Sequence, residues 1–388
     1  YSMNFYYWSP FLSEVATVKA VLNSAYSLGK YSKGNFKPFI INSVGEWTSF
    51  KDEIKDKQIE LIDFYQKKNF YKNLPRFGYI KSRYSYLLII LKTYRRLYKF
   101  LKSKEKNDYI IIHLISSLPL IYLILFKFEC KFILRISGFP KLNIFRKILW
   151  KYSGKKLYKI FSPTIDTKKM LINLKIFSEE KIELLQDPII NIRNINYLKR
   201  ENIWEKQKIK NYIINVGRLT KQKNQSFLIE GFALIKKRNE DLKLLVLGDG
   251  ELKNELIKKS IKLNIEKDII FLGHKENVYP YYKNAMCFVL TSKWEDPGFV
   301  MIEAAASKLP IISSDCNNGP KEFIKGDKRG YLYKNFNLKS FEESFEKLMH
   351  DRKIDNKIIE KKILEAFKET SRYTKFSHYK RIINILKN

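Results

Sequence analysis

At 388 residues the chain is too long for one ordinary hydrophobic core and suits two domains of usual size. Its formal net charge of +34 implies attraction to polyanions, nucleic acid or an anionic membrane surface, although heavy use of Lys, Ile and Asn also fits an AT-rich genome. Three widely spaced cysteines, Cys130, Cys287 and Cys316, exclude a disulfide framework and fit reduced thiols in the cytoplasm. No signal pattern is visible at the N-terminus, and Tyr1-Ser2 ahead of Met3 reads as an expression remnant.

Taken in order, residues 4–8 read as a strand, Ser9-Pro10-Phe11 as a turn, and 13–28 as an amphipathic helix with Ser13 as N-cap. A strand at 38–42 follows. This is the opening of a doubly wound sheet, whose ligands bind where strands end and helices begin, so Ser9 and Ser13 are candidate contacts. Residues 71–106 carry eleven Lys or Arg against the single acid Glu105, interleaved with Tyr79, Tyr84, Tyr86, Tyr94, Tyr98 and Phe100. Rings and cations together suit a lipid headgroup layer; the mixture also suits a solvated helix face or single-stranded nucleic acid. No RNP, zinc or recognition-helix motif accompanies it, so nucleic acid is not expected. The apolar run 109–126 is interrupted by His113, Ser116, Ser117 and Pro119. It predicts a buried strand at 109–113, a loop and a helix from about Pro119 rather than a membrane span. The strand 131–137 runs into Gly138-Phe139-Pro140, which makes Arg135, Ser137 and Gly138 candidate contacts at another carboxyl end. Strands at 159–162 and 182–185 complete this half. The polar, poorly periodic 191–207 is the expected linker.

The second half opens with a strand at 211–216, then Gly217-Arg218-Leu219-Thr220-Lys221-Gln222-Lys223 and a helix at 226–236. Gly217 lets the backbone turn, Arg218 can fork across phosphate oxygens, and Lys223 adds a point charge; a basic surface turn is the plainer alternative. Strands at 242–247 and 269–272 lead into Gly248-Asp249-Gly250-Glu251 and Gly273-His274. Neither acid there suggests a metal site and the chain has no Asp-x-Asp motif, so no metal is expected. A strand within 285–291 precedes the run Glu295-Asp296-Pro297-Gly298-Phe299-Val300-Met301-Ile302-Glu303. Pro297 and Gly298 open a helix whose free N–H groups, from Gly298 to Met301, would attract phosphate. Glu295 and Glu303 would repel a diphosphate that touched them, so their expected targets are neutral hydroxyls, of a sugar and of a ribose. That combination describes a sugar nucleotide.

The run Glu295 to Glu303 resembles the E-x7-E signature of the retaining glycosyltransferases of family 4. The resemblance implies an α/β GT-B fold, two Rossmann-like doubly wound domains facing across a cleft. Their expected extents are 1–195 for the acceptor and 196–370 for the nucleotide sugar, with 371–388 a helix packing back on the first domain. Further matches follow. Asp108 and His113 are similar to the family's Asp-x4-His, which places His113 near the donor sugar, and Gly217-Arg218-Leu219 with Lys223 is similar to its Gly-Arg-Leu and lysine. His274 falls in a loop that the family places near the nucleobase, and Gly319-Pro320-Lys321-Glu322 resembles a Gly-Pro-x-Glu element of enzymes building capsules, O-antigens or lipid-linked glycans. The family's glycine-rich loop after the first strand is replaced here by Ser9-Pro10-Phe11-Leu12-Ser13.

The resemblance thus implies a metal-independent, retaining hexosyltransferase, peripheral on the inner face of the cell membrane, with no cofactor and a nucleoside diphosphate sugar, UDP-linked, as donor. Its acceptor would be a glycan or polyprenyl-linked glycan in surface polysaccharide synthesis. Glu295, His113, Arg218 and Lys223 would carry catalysis. Gly217, His274, Gly298, Phe299, Val300 and Glu303 would join in holding the donor, while Ser9, Ser13, Arg135, Ser137, Gly138, Gly319 and Glu322 would face the acceptor or cleft. The alternatives are a GT-B nucleotide-sugar epimerase or phosphorylase, and a non-catalytic basic protein of membranes or nucleic acid.

Overall fold

The structure is a computed structural model, and it describes residues 2–12, 16–65, 70–75, 79–140, 142–203 and 209–387. The chain divides into two compact units, residues 1–189 together with 373–388, and residues 190–372. The first unit contains the strands β1 (Met3–Trp8), β2 (Phe36–Asn42), β3 (Glu60–Asp63), β4 (Asp108–Ile112), β5 (Lys131–Arg135), β6 (Lys159–Ser162) and β7 (Ile182–Leu184). They form one parallel sheet in the order β3-β2-β1-β4-β5-β6-β7. The second unit contains β8 (Tyr212–Val216), β9 (Lys243–Leu247), β10 (Ile269–Gly273), β11 (Phe288–Leu290), β12 (Ile311–Ser314) and β13 (Tyr331–Tyr333). Their parallel order is β10-β9-β8-β11-β12-β13.

Both faces of each sheet are covered by helices, which is why the central strands are apolar at most positions rather than only at alternate ones. Phe5 and Tyr7 of β1 pack on one face of the first sheet with Tyr109 and Ile111, while Tyr6 and Trp8 pack on the other with Ile110 and Ile112. The strand order reverses direction at one place in each sheet, between β1 and β4 and between β8 and β11. At such a point the loops leaving the two strands diverge, and the carboxyl edge opens into a crevice.

The helix Lys375–Lys387 belongs to the first unit, where Ile382 and Ile385 enter the core beside Leu22 and Ala25 of the helix Ala16–Tyr31. His378 is buried in that contact: Nε2 is 2.7 Å from Ser24 Oγ and Nδ1 is 2.8 Å from the Gln186 carbonyl. Burial, then the charge of Arg135, pull its pKa from 6.5 down to about 3. The folded state therefore holds this imidazole neutral, while the unfolded chain takes up a proton below about pH 6.5. Stability should be full above that pH and fall as pH drops toward 3. Urea titrations at pH 5 and pH 7 should show a smaller loss for His378→Asn than for the wild type; an equal loss would remove His378 as a cause. His113, also pulled well below its ordinary value by burial, contributes in the same direction, so the variant keeps part of the slope.

Several elements differ from the sequence reading. The polar segment expected as a linker contains a helix, Ile192–Leu198, whose first turn is capped by the Asn191 side chain accepting from the Asn194 N–H at 3.2 Å. Most of the basic stretch, Tyr79–Lys102, is one long helix. Its inner face buries Ile89, Leu97 and Leu101, and its outer face leaves Ile80, Tyr84, Leu87, Leu91 and Tyr94 exposed. No helix among the described residues is long and apolar enough to cross a membrane.

Candidate active site

In the second unit β8 and β11 end side by side at the switch point. Asn215, buried near the end of β8, donates from Nδ2 to the Val289 carbonyl of β11 at 2.8 Å. The loops beyond are stapled together. The Lys293 N–H donates to the Gln222 carbonyl at 2.8 Å, Thr291 Oγ1 to the Lys223 carbonyl at 3.0 Å, and Gln222 Nε2 to the Trp294 carbonyl at 3.1 Å. These bonds bring together two side chains 72 positions apart in sequence. Lys223 Nζ donates to both carboxylate oxygens of Glu295, at 2.7 and 2.9 Å, and Ser292 Oγ donates to the same carboxylate.

Glu295 is 3% exposed and the Lys223 side chain 15%. A carboxylate so covered is stable as an anion only while its cation stays. Lys223 has three donors and uses two here, which leaves one for an incoming oxygen. Arg218, exposed at the start of the same loop, has no ion pair among the described residues. The turn that carries it is packed tightly: Gly248, at φ +137°, has its Cα so near the Gly217 carbonyl that a Cβ would lie 2.0 Å from the oxygen.

Beyond Glu295, a cis peptide joins Asp296 and Pro297, and the helix Phe299–Ala306 follows. Gly298 is the N-cap in left-handed conformation, so the helix begins one residue later than Pro297 and Gly298 suggested. The Met301 N–H turns back to the Gly298 carbonyl at 3.1 Å, whereas Phe299 and Val300 stand in the first turn, where N–H groups have no intrahelical acceptor. Both residues are half-buried. Glu303 sits on the same helix, half-buried beside Tyr279 and Tyr282; their hydroxyl pKa values are raised first by burial and then by its charge.

Two residues without a role in the sequence reading complete the site. Ser292 holds the Glu295 carboxylate, and Asn318 donates from Nδ2 to the Glu295 carbonyl at 2.9 Å and to Asp296 Oδ1 at 2.6 Å. Asn318 immediately precedes Gly319, whose φ of +138° lets the loop lie on Pro297. The Asn-Gly pair was the available signal. Glu322 is half-buried in the short helix Pro320–Ile324, and His274 is exposed, its backbone N–H donating to Asp249 Oδ2 at 2.9 Å. That bond first, and Lys253 second, hold the Asp249 carboxyl below its ordinary pKa. Asp249 therefore ties two loops. No group of three His, Cys, Asp or Glu among the described residues is placed to hold a metal ion.

The first unit presents its own edge. Ser9 and His113 follow the paired strands β1 and β4, are almost wholly buried, and have Ser9 Oγ and both His113 nitrogens without a partner among the described residues. Burial, then the nearby Arg135, keep His113 neutral. Arg135 is ion-paired with buried Asp187, and burial lowers its pKa to about 10, so its charge is committed within the unit although one guanidinium nitrogen stays unbonded. Ser137 lines an open pocket, Gly138 turns the chain at φ +71°, and Ser13 lies outside the described residues.

Two parallel doubly wound units of this kind are the GT-B architecture. The whole chain superposes on TarM from Staphylococcus aureus, crystallised with fondaparinux, α-GlcNAc-glycerol and UDP, with TM-score 0.71 and 14% identity, covering 100% of both chains. Residues 198–364, within the second unit, match the family model described as glycosyl transferases group 1. The chain is 33% identical over 259 residues to an uncharacterized glycosyltransferase of Methanocaldococcus jannaschii, covering 61% of this chain and 63% of the relative. It is also 33% identical over 177 residues to the N-acetylgalactosamine-N,N'-diacetylbacillosaminyl-diphospho-undecaprenol 4-alpha-N-acetylgalactosaminyltransferase of Campylobacter jejuni, covering 46% of this chain and 47% of the relative. The matched part is thus less than two thirds of either relative's length.

Proposed function

We propose that the chain is a retaining glycosyltransferase that moves a sugar from a nucleoside diphosphate sugar, UDP-linked, to a lipid-linked glycan at the inner face of the cell membrane. The observation that carries this reading is the Lys223–Glu295 pair, bonded at 2.7 Å beside the mouth of the helix Phe299–Ala306. One partner supplies positive charge and the other hydroxyl recognition. The diphosphate would lie against Arg218, the third donor of Lys223 and the first-turn N–H groups, and Glu295 would accept from the donor sugar. Glu303, beside two tyrosines, would accept from the ribose.

Charge develops on the diphosphate as the anomeric C–O bond breaks, and donors fixed in advance stabilise it most where water is excluded. The acceptor hydroxyl forms the new C–O bond on the same face of the sugar, and its proton passes to the departing phosphate oxygen. In this reading the cations do the work a divalent metal would otherwise do. The UDP crystallised with TarM and the diphospho-undecaprenol named in the activity of the Campylobacter relative support the donor and acceptor classes. The exposed apolar and basic helix Tyr79–Lys102 supports a membrane-surface location.

Thermal unfolding with UDP, GDP, ADP and their sugars tests the donor. UDP and one UDP-sugar should raise Tm, by about 2.7 kcal/mol of added stability at a hundredfold excess over Kd. No shift with any of the nucleotides would overturn the reading.

A further inference from the structure

The loop that carries Glu295 is clamped along its backbone. Four successive carbonyls each accept a hydrogen bond from a different side chain: Ser292 from Ser314 Oγ at 2.8 Å, Lys293 from Asn335 Nδ2 at 3.2 Å, Trp294 from Gln222 Nε2 at 3.1 Å and Glu295 from Asn318 Nδ2 at 2.9 Å. The donors stand at or beyond the ends of β8, β12 and β13, so the loop is tied to three neighbouring segments. Side chains on such a backbone are held in place before any ligand arrives.

Two large aromatic rings are nevertheless left in water there. Trp294 is 47% exposed, and Phe336, just beyond β13, is 64% exposed. Phe336 also adopts the left-handed region, φ +62°, which a bulky aromatic residue enters only at a cost. Asn335 maintains it: Oδ1 accepts from the Phe336 N–H at 3.0 Å, while Nδ2 holds the Lys293 carbonyl. One amide thus fixes both loops, and Lys293 Nζ lies 5.9 Å from the centre of the Phe336 ring. Strain that keeps a ring exposed adds nothing to the core; it serves binding.

Sugar rings carry C–H groups on a face and hydroxyls at the edge. A rigid aromatic side chain covers the face at small entropic cost, and nearby polar groups read the edge. The order of the sheet gives the direction in which such a sugar lies. His274, the expected base contact, follows β10 at one edge, Phe336 follows β13 at the other, and Lys223 and Glu295 follow β8 and β11 between them. A nucleotide reaching from the centre toward β10 leaves the β12–β13 side to whatever lies beyond the transferred sugar. Resting on the proposed function, we propose that Trp294 and Phe336 form a stacking platform, within the second unit, for sugar rings of the acceptor glycan. Lys293 donates to a hydroxyl of the same glycan.

NMR of the five tryptophan indole N–H groups in the full chain tests this. The titrants are methyl α-glycosides of glucose and N-acetylgalactosamine, maltotriose, chitotriose, UDP and UDP-glucose. The Trp294 signal, identified by its loss in Trp294→Phe, should move with at least one saccharide and stay in place with UDP. Trp294→Ala with Phe336→Ala should weaken saccharide binding about threefold to tenfold and leave UDP affinity unchanged. A Trp294 signal that no saccharide moves would overturn the platform, as would wild-type saccharide affinity in the double variant. Movement with UDP or UDP-glucose but with no free saccharide would put the donor on the ring. A dimer in sedimentation, dissociated by Trp294→Ala, would put a second copy there. Either result overturns the inference while the proposed function stands. Failure of the wild type to bind UDP would count against the proposed function alone.

Discussion

Lys223→Ala should lower kcat by about 10²–10³, the usual cost of removing one preorganised donor from a developing oxyanion. It should also destabilise the fold. Glu295 would keep Ser292 but lose its cation while 3% exposed, and stranding a buried charge costs about 3–5 kcal/mol. The two effects can be separated. In Lys223→Ala with Glu295→Ala the stranded charge is gone, so stability measured in urea should recover most of the loss while turnover stays low. Wild-type kcat in the single variant would refute the role of the lysine; turnover recovering together with stability would reduce the pair to a structural bridge.

Gly319→Ala should destabilise the second unit by about 3 kcal/mol and impair the same site. Its φ is +138°, and an added Cβ would come within 2.0 Å of the Pro297 carbonyl oxygen, which is backbone and cannot turn aside. The loop would have to lift away from Pro297, drawing Asn318 off Glu295 and Asp296. Gly34 provides the control. It has φ +87° with nothing within 4 Å of a Cβ, so Gly34→Ala carries only the left-handed backbone cost of about 1–2 kcal/mol. Equal losses in the two variants, by urea titration, would show that contact with Pro297 adds nothing.

The carboxyl-end loops were legible in sequence because each is punctuated: a buried apolar strand, then Gly217, Gly248, Gly273 or Pro297-Gly298, then a helix pattern. What could not be read was which loops meet. Lys223 and Glu295 are joined by bonds between backbone carbonyls and neighbouring side chains, Thr291 and Gln222, which leave no periodic trace. The helix Ile192–Leu198 was hidden by its polar composition and is set by one asparagine cap. Ile144–Gly154 escaped notice for the opposite reason. It is apolar on both its buried and exposed faces, so the 3.6-residue contrast that marks a surface helix is blurred. The strand β3, at the edge of its sheet, is framed by exposed Glu60 and Asp63 and only half-buried between them, so no apolar run marks it.

The helix Lys375–Lys387 completes the core of the first unit, although residues 190–372 come between them in the chain. During translation the second unit is therefore available in full, as one uninterrupted segment, before the first can close. Leu22 and Ala25 must wait with one side uncovered until Ile382 and Ile385 leave the ribosome. Of the two units, the one begun first is the last to be completed.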